Sequence, residues 1–231
     1  MDTEEISINY CPECGEHVEK GSKKCGKCGT SFDMQKESGR SESSGVYGVD
    51  NVSNDPSVSN VQPLNKLIWL IILTGGLYEI YWFYRNWRDF KKHKNLDISP
   101  GLRTVGLFIP LVNLYFVGTQ FKDLKDYEEE ANVKPFSIYT VIISWVVLSY
   151  LSVRLSFYDN PLTGMISLLL SFGLVIPFYM VQKTLNEYWL KEQGDLPLRK
   201  GLSLGEIIVL IIGLIFMVLE VIGVLAMFMM I

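Results

Sequence analysis

The sequence predicts a small four-cysteine ribbon built on a β-hairpin, joined to a mostly α-helical, polytopic membrane domain with an internal repeat. Three observations carry this. All four cysteines fall between positions 11 and 28, five long apolar stretches follow position 63, and the polar segment between them has neither helical nor strand period. Of the 231 residues 48% are hydrophobic, and the net charge is −4. Residues 1–62 hold eleven acidic and six basic side chains, which accounts for the acidic balance of the whole.

The cysteines read Cys11-Pro-Glu-Cys14-Gly15 and Cys25-Gly-Lys-Cys28-Gly29. Two C-x-x-C-Gly turns facing each other make a tetrahedral thiolate site, and Zn²⁺ is its usual occupant. One structural zinc ion on Cys11, Cys14, Cys25 and Cys28 is therefore expected. Each trailing glycine permits a backbone whose amide N–H groups point at sulfur. The ten residues between Cys14 and Cys25 suffice for a short hairpin with Lys20–Lys23 at its tip, flanked by Tyr10 and Phe32. A ribbon over 8–32 cannot bury a core, so metal binding must supply most of its folding. Zinc thiolates suit a reducing compartment, which puts the ribbon in the cytosol. A pair of disulfides, a rubredoxin-type iron and His17 as a further ligand are the weaker alternatives. Four cysteines close the coordination sphere, which argues against chemistry at the metal. Four Lys against three Glu over 8–32 are too little positive charge for nucleic acid. The segment resembles the small single-zinc ribbons at the N-termini of many prokaryotic membrane proteins.

Residues 33–62 are rich in Ser, Gly, Asn and Val and read as a flexible linker, making the ribbon a tethered module. Its acidic charge should keep it off anionic lipid. Residues 63–231 form the membrane domain. Apolar stretches lie at about 64–84, 104–121, 136–158, 162–181 and 204–231, against a requirement of about 20 apolar residues for a crossing. The first 60 residues contain no apolar signal region. The expected place is the plasma membrane, multi-pass, in contact with its lipids.

The membrane domain is internally similar. At an offset of 37 residues, Pro63 matches Pro100, Leu77-Tyr78 matches Leu114-Tyr115, Arg85 matches Lys122, Arg88 matches Lys125, Asp89 matches Asp126 and Phe90 matches Tyr127. A further 61 residues on, Pro161, Lys183, Leu185, Glu187 and Tyr188 continue the series. Units fall near 63–99, 100–134 and 161–196, and 136–158 stands outside them. Each unit runs from proline through an apolar stretch to a basic-x-apolar-x-acidic-aromatic exit. Arg85, Trp87, Arg88, Lys91 and Lys92, on the first exit, are expected in the headgroup layer with rings in the interface and cations on phosphate.

Two topology rules collide here. The loop 85–103 carries six basic residues against two Asp and should be cytosolic, as should the ribbon. A single crossing at 64–84 would separate them. Thr74-Gly75-Gly76 breaks the first apolar stretch, and Pro110 with Asn113 breaks the second. Re-entrant first segments would resolve the conflict. Three crossings, at 136–158, 162–181 and 204–231, then remain.

The run Thr74-Gly-Gly-Leu-Tyr-Glu-Ile-Tyr-Trp-Phe-Tyr-Arg-Asn-Trp87 resembles an uncharacterised family of small prokaryotic membrane domains with a Gly-Ile-Tyr-x-Ile-Tyr-Trp-type signature. Gly76, Tyr78, Ile80, Tyr81 and Trp82 match it, and Leu77 replaces the usual isoleucine. The resemblance implies a shared membrane domain of unknown function, often joined to zinc ribbons. No hydrolase elbow, phosphate loop or His-Glu metal motif occurs in the sequence, so the reading leans away from an enzyme. The expected role is protein–protein contact or membrane-associated regulation through the ribbon, with an unidentified protein partner and room for homo-oligomers. The alternative is a small transporter or channel-like protein using the intramembrane carboxylates Glu79 or Glu220.

Overall fold

The computed structural model describes residues 11, 13–18, 22, 24–30, 58–158, 160–194, 196–198 and 201–229. Their helices are α1 Leu64–Leu73, α2 Tyr78–Lys94, α3 Pro100–Gly106, α4 Pro110–Glu130, α5 Ile138–Ser156, α6 Pro161–Gly173, α7 Val175–Gln193 and α8 Leu204–Met229. Prolines open them: Pro63 precedes α1, and Pro100, Pro110 and Pro161 begin α3, α4 and α6. Proline lacks the N–H that a first turn leaves unpaired anyway. Asn95 in the left-handed region stops α2, and Gly194 stops α7. In the ribbon, the described residues form no strand. Isolated bridging positions at His17 and Lys24 are all that corresponds to the expected β-hairpin. Tyr10, Phe32 and, apart from Ser22, the hairpin tip lie outside the described residues, as do 33–57 of the expected linker.

α1 is ten residues long, about 15 Å, too short to cross. Its course is fixed by contacts with α8. At its start, Lys66 Nζ lies 2.9 Å from Glu206 Oε2 in the first turn of α8. At its end, Thr74 is pressed so close to Gly213 that any side chain there would collide with it. The chain then turns through Gly75 and Gly76, both at positive φ (57° and 90°), where an L side chain is strained. α2 returns along the same stretch of α8. Tyr78 Oη lies 3.3 Å from Glu206 Oε1, and Tyr81 Oη lies 2.9 Å from Ser203 Oγ. Farther on, Arg85 donates to Gln62 Oε1 at 2.6 Å and Asn60 O at 2.7 Å, back beside the start of α1. The pair is a helical hairpin whose two ends lie at the same end of the bundle.

α3 and α4 form a shorter hairpin joined at Leu107–Ile109, with Asn113 Nδ2 donating to Leu107 O. Among the described residues three helices are long and apolar enough to cross a membrane: α5, the 33-residue run Pro161–Gln193 and α8. The run Pro161–Gln193 is α6 continued into α7. Leu174 at the joint keeps φ −59° and ψ −18°, so the chain bends without turning back. Ser152 and Ser167 exchange hydrogen bonds between α5 and α6. The ribbon, 58–63, the α2–α3 loop and the loop 194–203 all gather at one end, and the α5–α6 loop lies at the other.

The core is aromatic and joins the three exit helices α2, α4 and α7, which run in the same direction. Trp82 and Phe83 meet Phe121 and Phe178 with centroids 5.0–6.3 Å apart. About two to three turns on, Phe90 stacks on Tyr127 at 4.8 Å and lies 5.4 Å from Tyr188. These are the three aromatics equated across the repeat units. The apolar exit positions Trp87, Leu124 and Leu185 are likewise buried. The unit pattern therefore has a spatial meaning at its exits. At its breaks the third unit departs from the first two.

Three sequence expectations change. The end of the expected linker is not free chain: Ser59, Val61 and Gln62 are buried. Gln62 N–H donates to Asn186 Oδ1 at 3.0 Å, and Asn186 Nδ2 donates back to Gln62 O at 2.7 Å. Arg85 and Trp87, expected among headgroups, are 6% and 3% exposed inside the bundle. The reason is the return course of α2, which turns this exit inward and pairs Arg85 with Asp89 one helical turn on. His93 is half-buried, its ring 5.0 Å from Trp189 and its Nε2 3.2 Å from Glu192.

Candidate metal centre

The four cysteine sulfurs lie within 4.8 Å of one another. Cys11 and Cys28 Sγ are 3.4 Å apart, and Cys14 and Cys25 Sγ 3.6 Å. A tetrahedral ion with metal–sulfur bonds of about 2.3 Å calls for sulfurs about 3.8 Å apart, so the set fits a four-coordinate metal ion. Two matching knuckles hold it. Gly15 N–H donates to Cys11 O at 2.8 Å, and Gly29 N–H to Cys25 O at 2.9 Å. Cys11 N–H reaches Glu16 O and Cys25 N–H reaches Thr30 O, each at 2.8 Å. Gly15 and Gly29 carry φ of 73° and 74°, the left-handed turn that each knuckle needs. Equal spacing in sequence has become equal geometry.

Backbone amides of Glu13 and Cys14 point at Cys11 sulfur, that of Glu16 at Cys14 and that of Thr30 at Cys28. Such N–H···S contacts hold thiolate charge. Burial pushes the Cys11 and Cys14 thiols up. At Cys28 burial also pushes up, but the Thr30 hydroxyl and amide outweigh it and bring this thiol down to about 6. His17 lies outside the four-sulfur cluster, on the rim of the neighbouring groove.

The first knuckle does not stand clear of the bundle. A Cβ on Gly15 would lie 2.9 Å from Pro63 Cγ, and Asn65 N–H faces Glu13 O at 3.4 Å. Beside this contact a half-open groove of about 450 Å³ runs between the knuckle and Lys66, Leu198 and Leu202. The tethered ribbon read from the sequence thus has a seat at the start of α1.

The other predicted site residues are dispersed. Glu79, half-buried on α2, accepts from Trp145 Nε1 at 3.1 Å. Glu220 is exposed on α8, its Oε2 3.8 Å from where a Gly75 Cβ would stand. Arg88 is half-buried, its guanidinium 2.8 Å from Asp89, while Lys91 and Lys92 are exposed. Sequence reasoning missed the densest polar cluster: Gln62, Lys66, Tyr78, Arg85, Asn186 and Glu206. Glu206 is fully buried, held by Lys66 and by Ser203 N–H at 2.6 Å. One signal existed, the Arg85/Asp89 spacing of four. The Lys66–Glu206 pair spans 140 residues and left none.

Comparison with protein families, with curated proteins and with solved structures finds no match. The resemblance carried by Thr74–Trp87 therefore rests on sequence motif alone.

Proposed function

We propose that the chain is an integral plasma-membrane protein whose cytosolic ribbon binds one structural Zn²⁺ and serves as a contact module for another protein, or for regulation at the membrane. The observation behind this reading is the four-sulfur cluster on two matched knuckles, resting on the end of a bundle with three helices long and apolar enough to cross a membrane. Soft thiolates in tetrahedral array favour Zn²⁺ over oxygen-seeking cations. Four of them leave the ion no position for a substrate. What the ion supplies when bound is folding of the two knuckles. The second knuckle, exposed from Gly26 to Gly29, is the surface a partner would meet.

The test uses the full chain in lipid nanodiscs. One zinc per chain by elemental analysis is expected, falling to none in Cys25→Ser/Cys28→Ser. Crosslinking in native membranes should then lose specific partners with the metal. Identical partner sets for the two proteins would overturn the contact role.

A second reading, a small transporter or channel, draws on Glu220 beside the glycine turn of the first hairpin. Irregular backbone at membrane depth is tolerated where it is buried or lines a cavity. Ion flux in liposomes unchanged by Glu79→Gln and Glu220→Gln would remove that reading.

A further inference from the structure

Between α2, α3 and α4 lies a cavity of about 110 Å³, two of whose lining residues carry an unmatched polar atom. These residues are Trp87 and Gln120, whose Nε1 and Oε1 are buried without a hydrogen-bond partner. Their residues are 3% and 2% exposed. A buried donor and a buried acceptor left open are costly, and native proteins seldom keep them. The same cavity carries one charge of each sign. Arg103 lies over the Trp87 and Phe116 rings, 5.8 Å from each centroid, instead of closing an ion pair with Asp123. Among the described residues neither charge has an opposite charge within ion-pair distance. Burial lifts the Asp123 carboxyl above its usual range, although Arg103 and Lys122 draw it down. The remaining wall is mostly apolar, formed by Leu96, Ile98, Leu124 and the stacked pair Phe90 and Tyr127, with Asn86 bonded to Trp82 O.

The complement to these four groups is a zwitterion. Arg103 and the Trp87 N–H call for an anion with acceptor oxygens. Asp123 and Gln120 Oε1 call for a cation that can donate N–H bonds. The cavity's surroundings say how such a ligand is presented. On α3 and the turn after it, Leu102, Val105 and Phe108 are each more than 60% exposed. This apolar face belongs to a seven-residue helix, about 10 Å long, so the hairpin dips only shallowly and its arginine stays near headgroup depth.

We propose that this cavity binds the headgroup of a phospholipid bearing phosphoethanolamine. The phosphate sits at Arg103 and Trp87 Nε1, and the ammonium sits at Gln120 Oε1 and Asp123. The acyl chains run along the Leu102–Phe108 face. A choline headgroup carries the same charges but no N–H for Gln120. A glycerol headgroup offers Asp123 no cation, and a serine headgroup sets a second carboxylate against it.

The test needs first only the natural sequence. The full chain is placed in nanodiscs of phosphatidylcholine doped with phosphatidylethanolamine or its N-monomethyl, N-dimethyl or glycerol counterparts, and retained lipid is counted by native mass spectrometry. Retention is expected to fall stepwise as N–H groups are lost, by about tenfold from ethanolamine to choline. Equal retention across the series overturns the proposal. Free O-phosphoethanolamine is added in a parallel arm. If it displaces the lipid at equal concentration, a soluble ligand and not a lipid is the occupant, and the proposal also fails. Gln120→Leu and Asp123→Asn should abolish the ethanolamine preference while leaving choline lipid retention unchanged. Arg103→Gln should weaken both lipids alike. Helical content by circular dichroism checks that each variant folds, and a preference surviving in folded Asp123→Asn overturns the assignment.

Discussion

The first hairpin and the run from α6 to α7 begin alike and end apart. Each starts at a proline, proceeds through an apolar helix, reaches a break and leaves on a helix of the aromatic core. The hairpin breaks at Gly75 and Gly76 with positive φ and turns back. The other breaks at Leu174 in ordinary helical geometry and runs on, making 33 residues long and apolar enough to cross a membrane. Their interiors differ too. The hairpin is held to α8 by Lys66, Tyr78, Tyr81, Ser203 and Glu206, while α6 meets α5 through Ser152, Ser167, Gly173 and Leu148. Apolar length thus does not decide whether a segment turns back. Here the return goes with two glycines at positive φ and a buried charge on a neighbouring helix.

The sharpest way to break this comparison is topological. Asn95→Cys and Asn160→Cys should behave oppositely toward an impermeant maleimide applied outside cells: the second labels and the first does so only after permeabilisation. Labelling of Asn95→Cys from outside would mean that α1 and α2 together cross. Next comes the buried pair. Lys66→Met strips the ion-paired cation from Glu206, which is fully buried, and should cost about 3–5 kcal/mol in unfolding measurements. Adding Glu206→Leu should recover most of that loss. If Lys66→Met alone is neutral, the hairpin is not held by charge.

Smaller effects sharpen the comparison. Gly75→Ala and Gly76→Ala should each cost about 1–2 kcal/mol, whereas Leu174→Met at the other break should cost less than about 1.5 kcal/mol. Equal costs would show that the glycine turn is not what folds the hairpin. The last test concerns Glu128, fully buried between the exit helices and bonded to Thr184 Oγ1 at 2.7 Å. Burial pushes its carboxyl up to about 8, against the downward pull of Thr184 and Phe136 N–H. The folded state keeps a proton that the unfolded chain releases above about 4.5. Stability should therefore be fully present below that pH, decline as pH rises toward 8 and level off beyond. Glu128→Gln should flatten the profile in thermal unfolding series. A slope unchanged by the substitution would assign the titration elsewhere.

Much of this was legible in the chain. Cysteine spacing gave the metal cluster because coordination is local: each knuckle is closed by residues within five positions of its first cysteine. Thr74-Gly-Gly gave the turn back between α1 and α2, since backbone conformation is a short-range rule. The seat of 59–62 was not legible. Its bonds go to Asn186 and Gln193, and a Ser/Asn/Gln segment looks the same whether it is solvated or docked. Arg85 misled for a related reason. A cation among tyrosines and tryptophans reads as interfacial until the partner acceptors, Gln62 and Asn60, are brought to it by the fold. The cavity lined by Trp87 and Gln120 was invisible because it depends on what those groups fail to meet.

The ion pair between Lys66 and Glu206 also sets an order of assembly. Its two halves lie 140 residues apart, so a ribosome supplies the lysine well before the glutamate. At synthesis rates of about 5–20 residues per second, the inbound hairpin waits several seconds with its cation at the bilayer surface. Only the arrival of α8 offers the charge and the small residues, Gly205 and Gly213, against which it can settle. The hairpin is early in the chain but late to reach its place. A chain stopped before Leu204 should therefore carry α1 and α2 unseated, open to proteolysis from the loop-bearing side.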